Sequence, residues 1–159
     1  MKEPAIQDHY PDDFAHCYGC GRLNAAGYRI RTVWDGDETV TRFTPQTHHI
    51  ALPGFVYGGL VASLIDCHAM ATAAGAALRA DGHAIGEVPS PRFVTAQLNV
   101  SYLKPTPLGH DLEIRGRVKE ATPRKTLVAV TVAVAGVVTA KAEVVAVPMP
   151  QSMGNARNG

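Results

Sequence analysis

The residues best placed to do chemistry cluster in and around one apolar stretch. Asp66 stands inside the run from Phe55 to Leu78, whose other members are nearly all apolar or small. An ionised carboxylate is costly there unless it is paired or hydrogen-bonded, so Asp66 should keep its proton to higher pH than a free aspartate. A general base working near neutrality needs that property. Ahead of it lie Gly58 and Gly59, at a helix start whose first amide N–H groups have no partner inside the helix. Such donors suit a developing oxyanion. Gly58 and Asp66 are eight residues apart, roughly 12 Å along a helix, too far to share one carbonyl group. If both serve one reaction they come from different subunits, as in two antiparallel copies of the helix across a two-fold axis.

The stretch that carries them reads as a buried central helix. It has no polar face, so the rest of the domain should cover it on all sides, with Arg79 and Gly82 ending it. Before it, β-prone runs at Gly27–Trp34 and Glu38–Phe43 flank Asp35-Gly36-Asp37, a hairpin signal. The loop Thr44–Pro53 then holds His48 and His49. After a proline-broken loop, Gly86–Pro91, the chain reads as strands. Phe93–Leu103 alternates, with Val94, Ala96, Leu98, Val100 and Tyr102 on one side and Thr95, Gln97, Asn99 and Ser101 on the other. Asp111–Lys119 also alternates. Thr126–Ala135 and Val137–Val147 are Val/Ala-rich and read as a hairpin buried on much of both faces. Two strands, one long helix and about four more strands make an α+β chain, a curved antiparallel sheet wrapped around one helix.

Length and composition agree with one domain: 159 residues, 46% hydrophobic, formal net charge +1. Basic residues are scattered, so no nucleic-acid surface is expected. The polar start, MKEPAIQDHYPDD, lacks the cationic and apolar parts of a secretion signal, which predicts a cytoplasmic protein. Residues 1–13 read as a mobile lead-in, 14–147 as the domain and 148–159 as a flexible tail. The apolar run is long enough to span a bilayer, but its Ala and Gly content with Asp66 and His68 at its centre argues against a membrane segment. Cys17 and Cys20 have CxxC spacing, and His9 and His16 could complete a zinc set. No second CxxC or HxxxH follows, so the segment reads as a glycine-rich turn and no metal is assigned. Cys67 reads as core packing, and His68, about 200° around the helix from Asp66, as a core or interface residue.

Four segments taken in order, CYGCGRLNAAGYRIR, HHIALPGFVYGGLVASLID, TAQLNVSYLKPTPLG and PRKTLVAV, resemble the hotdog-fold acyl-CoA thioesterases, in particular the phenylacetate-degradation branch of the 4-hydroxybenzoyl-CoA thioesterase superfamily. The resemblance covers roughly Cys17 to Val147 and implies a hotdog fold acting as a homodimer or dimer of dimers, with the active site across the subunit interface. By position, Asp66 matches the family's general base or nucleophile, Gly58 the glycine whose amide polarises the thioester carbonyl, and Gly59 gives close approach. Thr95 matches a hydroxyl that holds the attacking water, and His49 the histidine of an HxxxPG loop. By plain alternation Thr95 falls on the polar face, and only a bulge would turn it to the cleft. Lys104, Arg124 and Lys125 match places where members often meet the CoA nucleotide. Tyr57 stands where the family commonly has histidine, and Ala51 where several members have Asn or Gln.

The resemblance implies hydrolysis of an acyl-CoA to a free acid and CoA, with no cofactor. A non-catalytic acyl-CoA binding module is the alternative, motivated by Tyr57 and Ala51. An enoyl-CoA hydratase using His49 with Asp66 is a weaker one. An apolar acyl pocket is expected from Phe55, Val56, Leu60, Met70 and the strand beginning at Phe93.

Overall fold

The computed structural model describes residues 4–154. Six antiparallel strands form one sheet: β1 (Val33–Asp35), β2 (Glu38–Phe43), β3 (Phe93–Tyr102), β4 (Leu112–Ala121), β5 (Thr126–Val134) and β6 (Val137–Pro148), in the spatial order β1-β2-β4-β5-β6-β3. The sheet curves over one helix, α1 (Gly58–Ala80). This is the curved sheet around one helix that the element order implies, and the hotdog arrangement that the resemblance implies.

The helix begins at Gly58, three residues after the expected start. Phe55 and Val56 are held in extended bridges to Pro107 and Ile50, which leaves Tyr57 as the cap. At its other end Gly82 takes φ +80°, the left-handed conformation that stops a helix. Arg79 stacks on the Trp34 ring, 3.4 Å from its centroid, and donates to the Gly36 carbonyl, tying the helix end to the first hairpin. Leu60, Leu64 and Ile65 are buried against Ile114, Val128, Val130, Val144 and other inward-facing strand residues, each contributing about 1.5–3 kcal/mol by its removal from water.

The cover is incomplete along one stripe. Gly58, Gly59, Ala62, Ser63 and Asp66 are only partly buried. Small side chains leave this stripe invisible to a hydropathy reading, which had the helix enclosed all round. The helix is long and apolar enough to cross a membrane, with a mean hydropathy of 1.4, but 72% of that window is buried inside the fold.

The β5–β6 hairpin also departs from expectation. Its inward residues Val128, Val130, Ala140 and Val144 are buried, whereas Thr131, Lys141 and Glu143 on the outer face are exposed. The predicted strand from Gly27 shortens to Val33–Asp35, because Arg29 at φ +54° interrupts the extended run.

The expected mobile lead-in packs instead. Ile6 and Tyr10 are fully buried, the turn Ile6–His9 lies on α1, and the Ile6 N–H donates to the Thr32 carbonyl. At the C-terminus Pro148 closes β6 and Gln151–Gly154 forms one helical turn. Residues 1–3 and 155–159, also placed in the lead-in and tail, lie outside the described residues.

Candidate active site

The β3 register carries the first element of the site. Thr95 pairs with Ala146 and Gln97 with Val145, so Ala96 is an extra residue and β3 bulges there. Beyond the bulge Leu98, Val100 and Tyr102 pair with Val144, Ala142 and Ala140; before it Thr95 pairs with Ala146. All four β6 partners are buried core residues. Cross-strand partners share a face, so Thr95 joins Val100 and Tyr102 on the helix side. The plain alternation that put Val94 and Ala96 there fails at this one residue.

Thr95 accordingly reaches α1, where its hydroxyl donates to Asp66 Oδ1. Asp66 is half-buried, and desolvation raises its pKa above the ordinary aspartate value. The nearby Cys17 adds to that rise, while the Thr95 hydrogen bond and the more distant Arg92 charge oppose it. Ser63, three residues before Asp66 on the helix, donates to the Gly59 carbonyl, 2.8 Å away.

The second element is the start of α1. The Leu60 and Val61 amides donate to the Tyr57 carbonyl, whereas the amides of Gly58 and Gly59 find no acceptor among the described residues. They are the free donors of the helix N-terminus. Tyr102, at the far end of β3, donates from its hydroxyl to the Gly58 carbonyl at 2.7 Å. The Tyr57 ring folds back over Gly59, where a Cβ would stand 2.4 Å from a ring carbon, so a larger residue there would displace the exposed tyrosine ring. β3 therefore grips the helix at both ends, through Thr95 at the carboxylate and Tyr102 at the amides.

An apolar groove of about 450 Å³ opens beside this helix start, lined by Leu52, Phe55, Val56, Gly58, Tyr102 and Lys104, among others. Of the expected acyl-pocket residues, Phe55 and Val56 line it. Leu60 and Met70 are packed into the core and do not.

The remaining candidates are spread out. His49 is held in an aromatic cluster with Tyr28, Phe43 and His48, and its Nδ1 accepts the Gln46 amide at 3.0 Å. Desolvation lowers its pKa. Its carbonyl accepts the Tyr57 amide, fixing the loop to the helix start. No contact joins the His49 side chain to Asp66 among the described residues. Arg124 and Lys125 occupy the β4–β5 turn, next to the Thr126–Ala146–Thr95 row, while Lys104 follows the Val132–Ala140–Tyr102 row at the opposite end of the sheet. A single chain does not bring these three cations together.

His68 faces the other way, as its helical angle predicts. It is fully buried, with Nε2 at 3.0 Å from Thr39 Oγ1 and Nδ1 at 2.8 Å from Thr41 Oγ1.

The model of one family, described as the thioesterase superfamily, matches residues 53–141, which include Gly58, Asp66 and Thr95. The chain belongs to the thioesterase superfamily. A superfamily protein of solved structure from Shewanella loihica is 43% identical, with a TM-score of 0.67, over 87% of this chain and 98% of that one. The curated mouse protein acyl-coenzyme A thioesterase THEM4 is 31% identical over 94 residues, 59% of this chain but only 35% of that relative's length. A Streptococcus mutans protein solved with acetyl-CoA bound has the same fold, at 21% identity and a TM-score of 0.60, over 76% of this chain and 88% of that one. The central helix, strands β3 to β5 and the Asp66–Thr95 pair lie inside the matched residues.

Proposed function

We propose that this protein hydrolyses acyl-CoA thioesters, with Asp66 as general base. The observation that carries the reading is the Asp66–Thr95 pair on the half-open stripe of α1, on the same helix as the unpaired Gly58 and Gly59 amides. Asp66 takes a proton from water as the water attacks the thioester carbonyl. The amide of Gly58 holds the resulting oxyanion, and collapse of the tetrahedral intermediate expels the CoA thiolate. The thiolate takes up the proton, so acyl-CoA and water become a carboxylic acid and CoA. Thr95 orients the carboxylate. The thioesterase THEM4 and the acetyl-CoA held by the S. mutans protein support this substrate class.

The active unit is a homodimer, alone or as half of a dimer of dimers, in which the Asp66 of one copy works with the Gly58 of another. Eight residues of helix, roughly 12 Å, separate the two in one chain. β3 supports this assembly: it is a ten-residue edge strand, with Leu98 and Tyr102 exposed. Antiparallel pairing of β3 with its symmetry mate sets the Tyr102 end of one copy beside the Phe93 end of the other. Lys104 of one copy then approaches Arg124 and Lys125 of its partner, where the CoA phosphates would lie.

The test is CoA release, followed with a thiol reagent, over short, medium, long and aromatic acyl-CoAs, with Asp66→Asn alongside. Turnover that disappears in Asp66→Asn, with the dimer intact, is the expected result. Full activity in that variant would overturn the assignment. Acyl-CoA binding without turnover in the natural protein would select the binding module instead.

A further inference from the structure

Cys67 follows Asp66 on α1 and points to the N-terminal segment. There it meets the CxxC turn: the sulfurs of Cys17, Cys20 and Cys67 all lie within 4.8 Å of one another. The third thiol comes from the other side of the fold, 47 residues beyond Cys20 in sequence, which is why no CxxC search could find it.

Separation decides what three such sulfurs are arranged for. Cys17 Sγ and Cys67 Sγ are 3.9 Å apart. Two thiolates on one tetrahedral zinc, each bound at about 2.3 Å, stand about 3.8 Å apart. A disulfide needs about 2.05 Å. The pair already has the spacing of two ligands on one ion and would have to close by nearly half to form a bond.

The surroundings are built for the same end. A Cβ on Gly19 would stand 2.3 Å from Cys67 Sγ, so only glycine lets the helix thiol enter the turn. The Arg92 guanidinium lies over the Tyr10 ring, 4.3 Å from its centroid, with its charge felt by Cys20 and Cys17. Its Nη1 is buried with no acceptor among the described residues. Zinc with three thiolates carries one net negative charge, which this guanidinium balances. Cys20 and Cys67 are buried and Cys17 is partly exposed, so the fourth corner opens on the Cys17 side, where water can complete the tetrahedron. His9 and His16 stand outside the cluster, the ring of His9 lying against Gly86.

We propose that Cys17, Cys20 and Cys67 form a zinc site that clips the N-terminal segment to the central helix beside Asp66. Binding converts three thiols and Zn²⁺ into a zinc tris-thiolate and three released protons. The soft sulfur set selects zinc over magnesium or calcium.

The full chain, reduced and stripped with a chelator, is dialysed against Zn²⁺ and then freed of loose metal by gel filtration. One zinc per chain is expected, with three thiols shielded from a thiol reagent that labels them in the stripped protein. Co²⁺ in its place should give the intense absorption of a tetrahedral thiolate complex. Cys17→Ser and Cys67→Ser should each weaken zinc binding by more than the roughly 10–100-fold that loss of a supporting partner costs. Circular dichroism checks their folding; should Cys67→Ser fail to fold, the partly exposed Cys17→Ser and the thiol count in the natural chain decide. Zinc retention by the natural chain no better than by Cys17→Ser would overturn the site, as would undiminished binding in a folded Cys67→Ser.

Discussion

His68 makes the stability of this protein depend on pH in a way that can be worked through. Gln7 Nε2 donates to Thr32 Oγ1, Thr32 is bonded to Thr41, and Thr41 to His68 Nδ1. Passed along this chain, the Thr41 hydroxyl hydrogen points at Nδ1, and Nε2–H is left to donate to Thr39. The neutral ring is thus satisfied on both nitrogens, and a second ring proton would face a donor. Complete burial pushes the His68 pKa down to about 3. In the unfolded chain the same ring titrates near 6.5. Below that value the unfolded state binds a proton that the native state refuses, so native stability falls as pH falls from about 6.5 toward 3. The loss is about 1.4 kcal/mol per pH unit, or about 2 kcal/mol by pH 5, a large part of a typical 5–15 kcal/mol. Asp66 works in the opposite sense, since its raised native pKa lets the folded state take up a proton first. The assay is therefore a comparison: urea unfolding of the natural protein and of His68→Gln at pH 7 and pH 5, with chelator present throughout. His68→Gln should be weaker at pH 7 but lose about 2 kcal/mol less on acidification, the carboxylates being common to both. Equal losses would refute the reasoning.

Other substitutions probe the site and its supports. Thr95→Val removes the hydroxyl that orients Asp66 and should lower kcat about 10–100-fold with little change in KM, measured by CoA release. Gly116→Ala places a Cβ 2.7 Å from His68 Nε2 and 2.8 Å from Thr39 Oγ1; overpacking of this kind costs about 1–3 kcal/mol, readable in urea melts. Leu98→Arg puts a charge at the middle of the exposed edge strand and should shift the protein toward monomer in sedimentation while turnover falls in parallel. A monomer with full activity would show that one chain suffices.

Much of the fold was legible because its signals are local. The Asp35-Gly36-Asp37 turn, the long apolar helix and the Val-rich hairpin each announce themselves in a few consecutive residues. Asp66 was legible for the same reason, as a charge in an apolar run. What escaped depends on distant partners. The burial of Ile6 and Tyr10 needs the surface of α1, which the first ten residues cannot display. The open stripe of α1 is made of glycine, alanine and serine, which score as neither wet nor greasy. The bulge at Ala96 has no signature in its own residues and is visible only against the β6 ladder. Cys67 joins Cys17 and Cys20 through tertiary packing alone.

The extra residue in β3 divides that strand into two segments with opposite parity, and the consequence is genetic as much as structural. Removal of Ala96 would leave a regular β3–β6 ladder, because Thr95 and Gln97 already pair with the neighbours Ala146 and Val145. Thr95 and Tyr102, seven positions apart, share a face only because one residue between them is unpaired. A change of β3 length by one residue between these two must therefore be matched by the loss or gain of a bulge, and natural variation should show the two together. In this strand the residue count and the bulge form a single constraint, set by the two contacts with α1.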